Sequence, residues 1–321
     1  MSHEEPIYSL AGKRVWVAGH RGMVGAALLR RLQQEHCHLL TVDRESVDLT
    51  RQEAVEQWMG KARPHAIFIS AAKVGGILAN NTNPVPFLYD NLAIAANVIH
   101  AAAANGVDKL LYLGSSCIYP KFATQPIPES ALLTGALEPT NEWYAIAKIA
   151  GLKLCQAYRR QFNCDFIAAM PTNLYGPGDN FDLNTSHVIP ALIRKAHEAK
   201  LQGRSEFVIW GSGTPRREFL HVDDAADALT HLMKHYSGDS HVNVGSGSDL
   251  SILELAELIA RVVGFAGRVV TDSSKPDGTP RKLLDSSKLT GLDWRPRIAL
   301  AEGLASAYAW FEMAEAASAE A

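Results

Sequence analysis

A glycine-rich turn near the start of this 321-residue chain lies between an apolar strand pattern, residues 13–18, and a helix pattern, residues 26–32. Its glycines are Gly19, Gly22 and Gly25. At this spacing the first glycine permits a tight turn, the second lets backbone amides approach a pyrophosphate, and the third lets the helix pack closely on the strand. The helix N-terminus then faces the anion. This arrangement predicts the first unit of a dinucleotide-binding α/β domain. The other turn residues assigned to the cofactor contact are His20, Arg21, Met23 and Val24.

The next strand pattern, residues 37–42, ends in Asp43 and Arg44, which indicate different cofactors. A carboxylate at this position usually binds a ribose 2′-hydroxyl, whereas an arginine accommodates a 2′-phosphate. Next to Asp43, Arg44 favours the phosphorylated cofactor, NADP. The alternative interpretation is that Arg44 is a solvated surface residue.

Strand and helix patterns alternate six times up to residue 178. The runs at residues 66–72 and 109–113 are predominantly apolar, which is typical of parallel strands buried on both faces. Such alternation predicts an α/β protein with an open, doubly wound parallel sheet and right-handed crossovers, a Rossmann-type fold. Residues 73–84 are expected to form a loop at the carboxyl end of the third strand.

After residue 178 the pattern becomes irregular and predicts a smaller C-terminal substrate-binding lobe. We assign residues 1–178, together with about 222–245, to the cofactor-binding domain. Residues 179–221 and 246–321 are assigned to the lobe. A helix is expected to begin near residue 222, with Asp223 or Asp224 accepting hydrogen bonds from its first amides.

Ser115 follows an apolar strand pattern, and Tyr144 and Lys148 lie four residues apart in a helix pattern. Side chains at that spacing project from one helix face. An ammonium beside a phenol favours the phenolate, so the pKa of Tyr144 is expected to fall toward neutrality. A serine hydroxyl opposite can bind a carbonyl oxygen. These residues predict proton transfer to an oxygen atom while another group delivers hydride. Alone, a tyrosine and a lysine at this spacing are common on solvated helix surfaces.

Composition narrows the class of protein further. A formal net charge of -3 and the lack of a Lys/Arg-rich run argue against a nucleic-acid partner. No run reaches 18 apolar residues and no export signal precedes the first strand, so we expect a cytoplasmic protein without a membrane span. The four cysteines lack the spacing of metal ligands, which favours free thiols and no metal site.

The glycine turn, Ser115 and the Tyr144–Lys148 pair together resemble the extended short-chain dehydrogenase/reductase family, in the branch that acts on nucleotide sugars. The resemblance covers about residues 13–298, although Trp143 stands where that branch commonly has proline. Four longer stretches carry it further: residues 72–76, 114–120, 171–177 and 210–219.

The resemblance implies that GDP-4-keto-6-deoxymannose is epimerised at C3 and C5 and then reduced at C4 with NADPH, in a homodimer. In this scheme a Cys117 thiolate takes a proton beside the ketone, His187 returns one to the opposite face, and Tyr144 protonates the C4 oxygen. The resemblance assigns Lys195 and Arg217 to the substrate diphosphate, with Trp210 and Asp277 beside them. It assigns further cofactor contacts to Arg44, Asp48, Leu49, Leu113, Gly114, Ser115, Lys148, Pro171, Thr172, Asn173, Leu174 and His187.

Simpler interpretations and rival functions remain at this point. From its sequence context alone, Cys117 could be a small buried residue, and His187 a helix-start residue bonded to backbone. A 4-epimerase or 4,6-dehydratase of the same fold is a rival enzyme, but the dehydratases carry acidic residues where this chain has Ser116 and Cys117. A cofactor-sensing regulator is another rival, but a pure binding protein has no need of Ser115, Tyr144 and Lys148 together.

Overall fold

The computed structural model describes residues 5–274 and 277–319; residues 1–4, 275–276 and 320–321, including the ends of the two predicted domains, lie outside that range. The strands are β1 (Arg14–Ala18), β2 (His38–Leu40), β3 (Ala66–Ile69), β4 (Lys109–Leu113), β5 (Asp165–Pro171), β6 (Asn173–Tyr175), β7 (Glu206–Trp210), β8 (Arg216–His221), β9 (Val242–Val244), β10 (Asp249–Ser251), β11 (Arg268–Asp272) and β12 (Arg281–Lys282). The helices are α1 (Met23–Leu32), α2 (Gln52–Ala62), α3 (Ile77–Thr82), α4 (Pro84–Ala104), α5 (Glu142–Phe162), α6 (Val188–Leu201), α7 (Val222–His235), α8 (Ile252–Val263), α9 (Ser287–Gly291) and α10 (Leu300–Ala319).

The main sheet has six strands in the order β2-β1-β3-β4-β5-β9, and every pair in it is parallel. Successive residues of β1 supply two hydrophobic cores because strand side chains alternate between faces. Val15 and Val17 pack with α1 and α7 on one face, whereas Trp16 packs with α2, α4 and α5 on the other. The predicted doubly wound parallel sheet is therefore confirmed.

The strand order reverses at β1. The next strand in the sequence, β2, pairs with one edge of β1, and β3 pairs with the other edge. In open α/β sheets, ligands bind in the crevice at the carboxyl ends of the strands beside such a reversal. The strand order therefore predicts a ligand site among the loops that follow β1, β2 and β3.

The segments predicted to form the smaller lobe supply every strand outside the main sheet except β6. β8 pairs with β6, β10 and β12, and β7 pairs with β11. A third core joins these strands to α6, α8 and α10, with Phe207, Ile209 and Ile259 buried in it. A complete capping box fixes the start of α8, where the Ser251 hydroxyl accepts from the Glu254 amide and the Glu254 carboxylate accepts from the Ser251 amide.

Two local expectations are wrong. The loop predicted at residues 73–84 contains the short helix α3. The first amides of α7 are not capped by Asp223 or Asp224, because His221 Nδ1 accepts from the Asp223 amide at 3.2 Å. Asp224 instead accepts from the backbone amides of Arg297 and Ile298, at 3.1 and 2.9 Å, and so ties α7 to the segment before α10.

Within the described ranges, every helix is too short or too polar to cross a bilayer.

Candidate active site

A cavity of about 530 Å³ opens where β1, β2 and β3 end, which is the position that the strand order indicates. Its volume is that of a small-molecule site. The predicted cofactor residues on its wall are Gly19, His20, Arg21, Gly22, Arg44, Asp48 and Leu49.

The glycine turn beneath this cavity depends on close backbone contacts. Gly19 has a φ of +89°, and a Cβ there would lie 2.6 Å from Cα of Ala71. A Cβ on Gly25 would overlap the carbonyl group of Gly19. Gly22 is the N-cap of α1 and offers no side-chain cap, so the first amides of the helix, at Met23 and Val24, can serve an anion.

We expect Gly25→Ala to destabilise the protein by roughly 1–3 kcal/mol, because the added methyl group meets backbone that cannot move aside. Urea unfolding measures this loss, and a fluorescence titration with NADPH should show weaker binding. Gly22→Ala is the matched control for the unfolding measurement only, since its Cβ would lie 3.5 Å from the Gly19 oxygen, an ordinary contact. If the Gly25→Ala variant unfolds at the same urea concentration as the wild type, the close contact between Gly25 and Gly19 does not contribute to the free energy of unfolding.

The carboxylate of Asp43, which favoured the unphosphorylated cofactor, already has two neighbouring side chains as partners. Arg21 Nε lies 2.8 Å and His20 Nε2 lies 3.3 Å from Asp43 Oδ1. Arg44 lines the same part of the cavity. The ribose end of the cavity is therefore lined by two arginines, of which Arg21 pairs with Asp43 and, at 3.5 Å, with Glu45.

The end of β4 brings together three of the predicted catalytic side chains. Ser115 caps a single 3₁₀ turn, Ser116–Ile118, and its hydroxyl oxygen accepts from the Cys117 amide at 3.3 Å. The same hydroxyl lowers the pKa of the Tyr144 phenol and of the Cys117 thiol, against the larger opposing effect of burial. Ser115 thus interacts with both the phenol and the thiol.

Lys148 lies one turn from Tyr144 on α5, but it does not act on the phenol as expected. Its Nζ donates to the Leu113 carbonyl at 2.8 Å and lies 5.6 Å from the centroid of the Tyr144 ring. Burial raises the pKa of Tyr144 well above its ordinary value, although the Ser115 hydroxyl opposes the rise, and burial lowers the pKa of Lys148 to about 8. The expectation that the pKa of Tyr144 falls toward neutrality is therefore wrong. The phenol keeps its proton, which is the state that a proton donor requires.

Cys117 is buried, with 6% of its surface exposed, and burial raises the pKa of its thiol. The ammonium groups of Lys282 and Lys148 oppose that rise. At neutral pH the side chain is therefore a thiol in this structure, and its use as a base requires a cation to stabilise the thiolate.

A second cavity, also of about 530 Å³, lies between the main sheet and the smaller lobe. Gly76 and Asn173 line it on the side of the main sheet, and residues of α6 and β7 line it on the side of the smaller lobe. All the predicted substrate residues line this cavity, namely Lys195, Trp210, Arg217 and Asp277. His187 lines it as well.

The predicted substrate residues make defined contacts with one another and with backbone. Lys195 Nζ lies 5.1 Å from the ring centroid of Trp210. Arg217 Nη1 donates to the carbonyl of Arg216 at 2.8 Å. The Asp277 carboxylate accepts from the amide and hydroxyl of Ser212, at 2.9 and 2.7 Å. Through these hydrogen bonds Asp277 also holds the loop after β7 in place.

His187 is the N-cap of α6 and is exposed on the wall of the second cavity. The surrounding protein desolvates the imidazole and lowers its pKa. The loop before His187 is hydrogen-bonded to the segment after β3, because the Gly76 amide donates to the Thr185 carbonyl at 2.9 Å. In the part of the chain that the structure describes, no hydrogen bond or ion pair joins His187 to Cys117.

The remaining predicted cofactor residues lie at the ends of β4, β5 and β6. Leu113 and Gly114 end β4 and lead to Ser115. Pro171 ends β5, and the side chains of Thr172 and Asn173 donate to the Glu218 carbonyl at 3.1 and 2.9 Å. Leu174 lines the second cavity beside Asn173.

One residue beside Cys117 was missed in the sequence. Lys282 follows a proline-rich segment and looks like an ordinary surface lysine. Only the pairing of β12 with β8 places it opposite Arg217. Among the described residues, no three His, Cys, Asp or Glu side chains meet as metal ligands.

Comparison with known proteins agrees with this geometry. A sequence model of the NAD dependent epimerase/dehydratase family matches residues 15–245. The chain is 62% identical over 306 residues to a GDP-L-fucose synthase from Sinorhizobium fredii, covering 95% of this chain and 98% of that protein. It is 55% identical to a GDP-L-fucose synthase from Escherichia coli, covering 94% and 97%. A solved GDP-L-fucose synthetase from Naegleria fowleri bound to NADP superposes with a TM-score of 0.90 at 29% identity, covering 98% and 96%.

The chain therefore belongs to the NAD dependent epimerase/dehydratase family, whose extended short-chain dehydrogenase/reductase fold it shares. Within that family, the two relatives named above, each matched over nearly its whole length, are GDP-L-fucose synthases.

Proposed function

We propose that this protein is an NADP-dependent enzyme that converts GDP-4-keto-6-deoxymannose to GDP-L-fucose, by epimerisation at C3 and C5 and reduction at C4. The observation that carries the proposal is the position of Ser115 at the end of β4, where its hydroxyl acts on both the Tyr144 phenol and the Cys117 thiol. A carbonyl group bound at Ser115 would have a proton donor on one side and a carbon base on the other. Both half-reactions act on the same ketone, so one site suffices.

NADP is the cofactor, and the first cavity has the features that it needs. The bare amides at the start of α1 and the close approach of Gly19 and Gly25 suit a pyrophosphate. Arg21 neutralises Asp43, which leaves Arg44 for a 2′-phosphate. When bound, NADPH supplies the hydride for C4.

We expect Arg44→Ala to raise the KM for NADPH roughly tenfold or more while that for NADH changes little, because a charge-assisted hydrogen bond to phosphate contributes about 1.5–3 kcal/mol. Steady-state kinetics with each cofactor measure the ratio. Arg204→Ala removes an exposed arginine from the smaller lobe and serves as the control. Equal rises of both KM values would show that Arg44 does not contact the phosphate.

Epimerisation requires a base on one face of the sugar and an acid on the other. A proton next to a ketone is acidic enough for a side-chain base. We assign the removal of the proton to Cys117 and its return to His187, which faces the substrate cavity from the start of α6. Ser115 would bind the C4 oxygen, where the negative charge collects when the proton leaves.

Reduction uses the proton that the structure retains on Tyr144. Its phenol is protonated because of burial, and it lies beside the Ser115 hydroxyl. We assign to it the protonation of the C4 oxygen as the hydride arrives. Lys148, held by the Leu113 carbonyl, would position the cofactor and lower the cost of a transient phenolate.

The nucleotide-sugar site is proposed to be the second cavity, with the diphosphate between Lys195 and Arg217 and an apolar wall at Trp210. The test is to incubate the pure protein with GDP-4-keto-6-deoxymannose and NADPH and to identify the sugar by NMR. GDP-L-fucose with stoichiometric NADPH oxidation is expected. A 4-epimer formed without net oxidation of NADPH would indicate the rival 4-epimerase instead.

We further propose that the protein is cytoplasmic and forms a homodimer. Within each subunit, residues 1–178 and about 222–245 would form the cofactor domain, and the remainder would form the substrate lobe. Packed against each other, α4 and α5 leave an apolar surface exposed. Tyr89 is 62% and Ile146 38% exposed, and both suit a contact between subunits.

A further inference from the structure

The ammonium of Lys148 is buried, and among the described residues no carboxylate is paired with it. Only 3% of the residue is exposed. The titratable groups that face its Nζ are the Cys117 thiol and the phenols of Tyr112 and Tyr144. A charge taken out of water must be compensated by other polar groups. The Leu113 carbonyl, which accepts from Nζ at 2.8 Å, is one such group.

Two aromatic rings supply further compensation. Lys148 Nζ lies 5.1 Å from the ring centroid of Tyr112, on β4, and 5.6 Å from that of Tyr144, on α5. A cation within about 6 Å of a ring centroid is attracted by the negative face of the π system, most strongly where water is excluded. Tyr112 is 2% exposed, so its ring offers this attraction away from water. It is the nearer of the two rings, yet the reaction scheme gives it no role.

A glycine in α5 makes room for the Tyr112 ring. Gly151 lies three residues after Lys148, on the same face of the helix. A Cβ at Gly151 would lie 2.5 Å from the Tyr112 hydroxyl oxygen. Glycine weakens a helix interior relative to alanine, but here it lets the tyrosine ring lie close against α5. The contact between the ring and Lys148 therefore depends on two residues, Tyr112 and Gly151, that lie outside the predicted catalytic set.

We propose that Tyr112 is a positioning residue whose ring holds the Lys148 ammonium through a cation–π contact and stabilises the charged form of the lysine. The inference rests on the proposed function, in which that charge lowers the cost of a transient Tyr144 phenolate. When the phenol gives its proton to the C4 oxygen, negative charge arises beside a cation that is already in place. Tyr112 forms and breaks no bond, and it keeps its own proton because burial raises its pKa.

The stabilisation has a definite direction with pH. Burial lowers the pKa of Lys148 to about 8, so its charge is present below that pH and is lost above it. Weakening the attraction of the Tyr112 ring should lower the pKa of Lys148 further. The rate of ketone reduction should then fall at a lower pH on the alkaline side of its profile. A residue that only fills space would leave this part of the profile unchanged.

The test changes the charge distribution of the ring with little change in its size. Tyr112→Phe is the reference, because phenylalanine keeps a negative π face, and pentafluorophenylalanine at position 112 withdraws that charge. NMR of lysine labelled with ¹³C at Cε measures the pKa of Lys148, with the resonance assigned from Lys148→Arg. From the reference to the fluorinated ring, the midpoint should fall by about one pH unit, and NADPH oxidation above about pH 9 should slow about tenfold.

Pentafluorophenylalanine in place of Phe166 is the matched control, because that ring lies in the same core and packs against Tyr158 with centroids 6.2 Å apart. It should leave the Lys148 midpoint where it is. An unchanged midpoint with the fluorinated ring at position 112, or an equal fall in the control, overturns the proposal. If the fluorinated protein does not fold, Tyr112→Leu decides in the same titration. The titration needs no nucleotide sugar, so its outcome is independent of whether GDP-L-fucose is formed.

Discussion

Cys117→Ala should lose solvent deuterium exchange at both C3 and C5 of GDP-4-keto-6-deoxymannose, by about a hundredfold or more. The expectation follows from the position of the thiol beside Ser115, which is assigned to the ketone oxygen. A methyl group cannot accept a proton, and one base serves both carbons in the proposed scheme. NMR of the sugar in D₂O, with NADP⁺ present so that no reduction intervenes, measures the exchange.

Cys164→Ala is the matched control, since that thiol is partly exposed and immediately precedes β5, at the opposite edge of the parallel sheet from the end of β4 and Ser115. Thermal unfolding of Cys117→Ala should remain close to that of the wild type, because only a sulfur atom leaves a site that adjoins the cleft. Full exchange in Cys117→Ala would remove the thiol from the mechanism. Exchange lost at one carbon only would mean that the other carbon has a different base.

The main sheet could be predicted because its strands are short, apolar and regularly separated by amphipathic helices. Such a pattern requires burial on both faces and permits few connections. The catalytic groups at the end of β4 and the start of α5 could be predicted for a similar reason, since each is fixed by local spacing. The second cavity collects residues from distant segments, and only the family resemblance connected Lys195, Trp210, Arg217 and Asp277.

What could not be predicted depends on contacts distant in sequence. The cap of α7 is His221, although two aspartates follow it, because Asp224 is used by Arg297 and Ile298. Lys282 is placed opposite Arg217 only through the pairing of β12 with β8. The pKa of Tyr144 depends on how deeply the phenol is buried, and spacing along a helix carries no information about depth. Desolvation therefore outweighs the lysine that the sequence placed beside it.

Tyr144→Phe should suppress NADPH oxidation by about a hundredfold or more, because the C4 oxygen loses its proton donor. Exchange at C3 and C5 should fall much less, since the thiol of Cys117 and the hydroxyl of Ser115 both remain. The substitution keeps the ring, which packs edge-on against Phe87 with centroids 6.4 Å apart. Loss of absorbance at 340 nm measures reduction, and NMR in D₂O measures exchange in the same sample.

Tyr158→Phe is the matched control, because it removes one phenol from the same helix at a residue whose hydroxyl contacts His100 outside both cavities. Its reduction rate should equal that of the wild type. The two half-reactions separate only if different groups move their protons, so a Tyr144→Phe variant that still reduces the ketone at full rate contradicts the assignment. Equal losses of exchange and reduction would instead mean that the phenol, together with Ser115, stabilises the charged oxygen in both steps.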